Sequence, residues 1–125
     1  MSDGPSPTIA YHRPPSEPDL EATVAAVPTE SGGRRYALFS GYRPMHAFGV
    51  SGTLYDALHE YPDGPVEPGQ SGRALLWLLQ PELQRGAIFE GMEFTVQEGR
   101  RVVARGRIVK VCSMRISDGA SSSPL

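Results

Sequence analysis

The sequence predicts an all-β domain, a sandwich or a barrel, and three observations carry that expectation. Glycine and proline interrupt the chain at roughly the eight-to-twelve-residue spacing that short strands and turns produce. Helix signals are poor, and neither heptads nor internal repeats occur. The stretch EFTVQEGRRVVARGRIVKV, residues 93–111, reads as two alternating strands folded back on each other.

The length of 125 residues suits one domain with a single core. Five prolines (Pro5, Pro7, Pro14, Pro15, Pro18) fall in the first 18 residues. Proline removes a backbone donor and favours solvated, extended chain, so residues 1–18 are expected to form a Pro-rich flexible arm. The small, polar stretch SDGASSSPL predicts a flexible tail over 115–125. The barrel or sandwich is expected between them, over 19–114.

Within that span DLEATVAAV alternates, placing Leu20, Ala22, Val24 and Ala26 on one face of a first strand that Pro28 ends. ESGGRR follows as a flexible loop rich in glycine. RYALF fits a short strand before the turn SGYRP, where Tyr42 is expected to cap the barrel. MHAFGVSGTL reads as extended, with Gly49 and Gly52 marking a bulge or bend. YDALHEYPDG fits a helical turn or a loop. Pro68-Gly69 suits the central positions of a type II turn. RALLWLLQP is too continuously apolar to alternate. It reads as a strand buried on both faces or a short helix, ended by Pro81 and with Trp77 in the core.

In the 93–111 hairpin Phe94 and Val96 point one way, and Glu93, Thr95 and Gln97 the other. Glu98-Gly99-Arg100 turns the chain. On the return strand Val102, Ala104, Gly106 and Ile108 share the inner parity, while Arg101, Arg105 and Arg107, with Val103, share the outer one. Val109 and Val111 break that parity, which predicts a bulge near Gly106 to Ile108.

Net charge is −2, but charge is unevenly distributed. Eight acids against two arginines lie between Asp56 and Glu98; six bases and no acid lie between Arg100 and Arg115. Eleven of the 12 basic residues are arginine, whose planar fork suits phosphate or carboxylate. Acidic neighbours such as Glu93 or Glu98 offer a way to neutralise part of the stripe within the sheet.

The hairpin FTVQEGRRVVARGRIVKV resembles, without a gap, the closing hairpin of the third (C-terminal) β-barrel domain of the elongation factor Tu family. It carries Phe94, Glu98, Gly99, Arg101, Gly106, Lys110 and Val111. Upstream, LEATVAAVPTESGGRR, FSGYRPMHAF and VEPGQSGRALLWLLQP resemble further segments of that domain in the same order, so the likeness runs from Leu20 to Val111. It implies a six-stranded antiparallel Greek-key β-barrel with flexible N- and C-terminal tails. It also implies a non-catalytic module that engages a translation-related protein or tRNA-like RNA. Carried over residue by residue, the partner-binding positions are Arg34, Arg35, Glu98, Gly99, Arg100 and Arg101. Three positions depart from the family's basic or polar pattern: Gln97, Gln80 and Met45. Each cation lost there removes one potential phosphate contact. The alternative is a protein-interaction or decoy module with no RNA role, docking onto a GTPase-type domain or an exchange factor.

The chain lacks a phosphate-binding loop, since its only lysine is Lys110, and no nucleotide is expected. No cofactor or metal is expected either: His12, His46 and His59 lack metal-ligand spacing. Cys112, the single cysteine, reads as a buried or half-buried thiol rather than a nucleophile. No enzymatic motif is present. Without a membrane-length apolar run or a signal-peptide layout, a cytoplasmic location is expected.

Overall fold

A computed structural model describes residues 11–49, 53–81 and 86–113. Six strands, β1 (Leu20–Ala26), β2 (Met45–Phe48), β3 (Leu54–Glu60), β4 (Ser71–Leu78), β5 (Glu93–Glu98) and β6 (Arg101–Val111), close into a barrel. Its order is β1-β4-β3-β2-β5-β6, with β6 returning to β1, and every pairing is antiparallel. Strands β2, β3 and β4 are consecutive neighbours and β5 returns beside β2, which is a Greek key. Among the described residues no helix is long and apolar enough to cross a membrane.

Alternation builds the core as the sequence predicts for β1: Leu20, Ala22, Val24 and Ala26 all point inward. Phe94, Val96, Ala104 and Ile108 join them from the hairpin. Each such side chain fully withdrawn from water contributes about 1.5–3 kcal/mol if it is as large as valine or phenylalanine. The ends of the ladder are tied as well. The backbone carbonyl of Asp19 accepts from Cys112 N at 2.8 Å, and its buried carboxylate accepts from Leu78 N at 2.8 Å.

The turns follow local chemistry. Gln70 N donates to Glu67 O at 2.9 Å around Pro68-Gly69, and Gly69 sits at φ +87°, as a type II turn requires. Gly99 sits at φ +61° in the two-residue reversal between the paired Glu98 and Arg101.

Several expectations are corrected. The ambiguous YDALHEY is strand β3 as far as Glu60, because Ala57 and His59, with Tyr61 just past the strand end, face the core with period two. MHAFGVSGTL is split between two strands, β2 ending at Phe48 and β3 beginning at Leu54; Gly49, one of the two glycines expected at a bend, does turn the chain at φ +70°, and Gly52 lies outside the described residues. RYALF contributes only a bridge, Leu38 with Val66. On β6 the irregularities fall at two places. Gln97 pairs with Val102 and Val96 with Ala104, so Val103 is an extra residue; Glu21 pairs with Lys110 and Ala22 with Ile108, so Val109 is another. Each insertion shifts parity by one. That buries Val103 beside Ala104, against the outward position expected for it, and exposes Val109 beside Lys110.

Residues 11–18 of the expected arm lie against the barrel. Tyr11 donates to Glu60 at 2.7 Å, Arg13 pairs with Glu60 at 3.1 Å, and the Trp77 indole N–H donates to Ser16 O at 3.0 Å. Trp77 is buried, but on the outer side of β4 beneath this segment, with Arg13 above its ring at 5.5 Å. The remainder of the arm and the tail expected over 115–125 lie outside the described residues.

Candidate functional site

The β5–β6 reversal is the centre of the expected partner-binding set, and Glu98 organises it. Its Oε2 accepts from Arg34 Nη1 at 2.5 Å and from the Tyr42 hydroxyl; its Oε1 accepts from Arg101 Nη2 at 3.0 Å. Both carboxylate oxygens are thus occupied by protein donors. Arg34 is 1% exposed. Its Nε donates to Tyr36 O at 3.2 Å and its Nη2 to Ala37 O at 3.3 Å, and its guanidinium lies 4.5 Å over the Tyr42 ring. Arginine suits this position because one planar fork serves two carbonyls, a carboxylate and a ring face together. Burial, followed by the bond to Glu98, pushes the Tyr42 hydroxyl well above the ordinary tyrosine range and keeps it a donor.

The six expected positions therefore divide. Arg34, Glu98 and Arg101 are brought together, with Arg34 facing inward to brace the tip. Arg35, Gly99 and Arg100 lie on the exposed surface beside them. Further along β6, Arg107 pairs with Glu93 at 2.7 Å across the strands, one of the neutralising partners expected from the sequence. Arg100, Arg105 and Lys110 are exposed and have no ion-pair partner among the described residues. A depression of about 530 Å³ separates Arg101 and Arg105 from Pro28 and Gly32, so the cations border a concavity.

A second polar cluster lies inside the barrel, where sequence spacing predicted none. His46 Nδ1 is 3.1 Å from Tyr55 O, His46 Nε2 is 2.6 Å from His59 Nε2, and His59 Nδ1 is 2.6 Å from the Tyr61 hydroxyl. A carbonyl only accepts, so His46 carries its proton on Nδ1 and accepts on Nε2. His59 then donates from Nε2 and accepts at Nδ1 from Tyr61. The direction of every bond follows with both imidazoles neutral. Burial pushes His46 down to about 4, and burial with the neighbouring His46 holds His59 well below its ordinary value. Once LHEY is read as strand, its alternation places His59 and Tyr61 on one face; that was the missed signal. Among the described residues no group of three or more His, Cys, Asp or Glu side chains is placed to hold a metal ion. Cys112 is half-buried, and burial raises its thiol pKa, which disfavours the nucleophilic thiolate.

No protein-family model matches this sequence.

Proposed function

We propose that this protein is a non-catalytic cytoplasmic binding module that engages an acidic component of the translation machinery through the exposed end of the β5–β6 hairpin. The observation that carries this reading is the uneven neutralisation of the hairpin. Arg101 and Arg107 have carboxylate partners, while Arg100 at the tip, and Arg105 and Lys110 further along β6, stand exposed without one among the described residues. A localised positive surface steers acidic partners even on a chain of net charge −2. The braced tip supports the same reading, because a rigid Arg34–Glu98–Arg101 base holds Gly99 and Arg100 in one position before any partner arrives. The closed barrel is the fold that the resemblance to the third domain of elongation factor Tu implies.

Two acidic partners fit: tRNA-like RNA, or a protein of the GTPase or exchange-factor class. The inward position of Arg34 favours the protein, because it removes one cation from any phosphate-binding set. Titration of labelled tRNA at low and moderate salt tests the RNA branch, with wild type compared with an Arg35→Ala, Arg100→Ala variant. RNA binding predicts a log–log salt slope shallower by about 1.5 in the variant, from about 0.7–0.9 per cation. An absence of binding at low salt removes RNA. Capture from lysate that retains neither GTPase-containing nor ribosomal proteins removes both.

A further inference from the structure

A second concave surface lies away from the hairpin tip, on the outer wall of the barrel, and its shape follows from strand register. At one level across four strands stand Ala25, Arg105, Thr95 and Ala47, each paired with the next. At the adjacent level stand Thr23, Arg107 and Glu93. All point outward, and apart from the two arginines and the glutamate all are small. A wall of long side chains would be filled in; here the small residues leave a groove of about 660 Å³.

The charges within it are unequal. Arg107 is engaged by Glu93 at 2.7 Å, whereas Arg105 has no acidic partner among the described residues. The groove thus offers one uncommitted planar fork, hydroxyls from Thr23 and Thr95, and the methyl groups of Ala25 and Ala47. Strand addition is excluded as the way of filling it. The barrel is closed and both neighbours of β6 are already paired, so no ladder edge is open. Recognition has to run through side chains.

We propose that this groove is a docking site for an extended acidic segment of a protein partner, whose single carboxylate pairs with Arg105 while small apolar side chains rest on Ala25 and Ala47. Charge decides against a nucleic acid strand. With Arg107 committed to Glu93, the groove offers one uncommitted cation, which is too few for consecutive phosphates, while a peptide can present one carboxylate among neutral residues. The site shares Arg105 and Ala25 with the depression beside the hairpin, but it uses none of the tip residues Glu98 to Arg101.

The test uses a short fluorescein-labelled peptide with one central glutamate flanked by alanine and threonine, together with its glutamine counterpart. Amide-resolved NMR titration of the full chain is expected to shift Thr23, Ala25, Ala47 and Thr95. The glutamine peptide and the Arg105→Gln variant each weaken binding by about tenfold or more, the loss expected for one charge-assisted contact. Ala25→Leu, an exposed change that fills the floor and keeps Arg105, also abolishes binding. Arg73→Gln on β4 leaves it unchanged. Glutamate and glutamine peptides of equal affinity, shifts confined to residues outside the groove, or no shifts at millimolar peptide each overturn the proposal. So does tighter, Arg105-dependent binding of oligouridylate to the same residues, which would assign the groove to RNA. Tip variants that lose tRNA or protein capture leave this map intact, so the two readings fail separately.

Discussion

Arg34 donates to Glu98 across 64 residues of sequence, and this pair joins the long β1–β2 connection to the tip of the closing hairpin. The guanidinium is buried, and its other donors satisfy the Tyr36 and Ala37 carbonyls. Removing one partner of such a pair leaves the others uncompensated. Arg34→Met is therefore expected to destabilise the fold by about 3 kcal/mol. Urea unfolding would measure this. Arg107→Ala, which breaks the exposed pair with Glu93, is expected to change stability by less than about 1 kcal/mol. Equal losses in the two variants would contradict the bracing role of Arg34.

The buried imidazoles predict acid sensitivity. An unfolded histidine titrates near 6.5, whereas folded His46 titrates near 4 and His59 is also depressed. Between those values the unfolded chain binds protons that the native state refuses. Stability is therefore full above about pH 6.5 and falls as pH drops toward 4. For His46 alone the loss amounts to about 3 kcal/mol at 1.36 kcal/mol per pKa unit. Denaturant midpoints measured from pH 8 to 4 should show the decline, and His46→Gln should flatten it while lowering stability at neutral pH.

Gly106 pairs with Phe94 in the β5–β6 ladder, and the aromatic ring covers the space a side chain would take. A Cβ at this position would stand 2.2 Å from the ring carbon Cζ. Gly106→Ala is expected to cost about 2 kcal/mol through overpacking. Combining it with Phe94→Leu should cost less than the sum of the two single changes, because the smaller side chain vacates the contested volume. Additive losses in a double-mutant cycle would show that backbone conformation, not the ring, makes glycine necessary.

Trp77 is the chain's single tryptophan, and its indole is covered by the segment that carries Arg13 and Ser16. Deleting residues 1–18 should expose the ring to water, shifting its emission to longer wavelength with the barrel still folded. Replacing Tyr11 with Phe removes only the hydrogen bond to Glu60, and a shift well below that of the deletion is expected. Emission unchanged by the deletion would show that the segment does not shield the ring.

Much of the barrel was legible in the sequence because strand faces and tight turns are local properties. Alternation in LEATVAA identifies the inner face of β1, Pro68-Gly69 and Gly99 identify reversals, and the outward parity of Arg105 and Arg107 follows from the spacing of β6. Bulges escaped that reading, since one extra residue at Val103 or Val109 leaves the composition unchanged and only pairing with β5 or β1 reveals it. The same limit applies to YDALHEY, whose polar residues hid a strand until His59 and Tyr61 found partners inside.

The sequence by itself determined the all-β class, the faces of its clearest strands, and a basic ribbon on an acidic chain, because each depends on residues a few positions apart. Tertiary structure alone decided that Arg34 turns inward, that His46 meets His59, that the segment carrying Ser16 covers Trp77, and that small residues on four strands leave a groove beside Arg105. Those outcomes depend on closure of the barrel. Closure brings distant segments to fixed separations and sets buried polar groups against one another, and no local pattern along the chain encodes it.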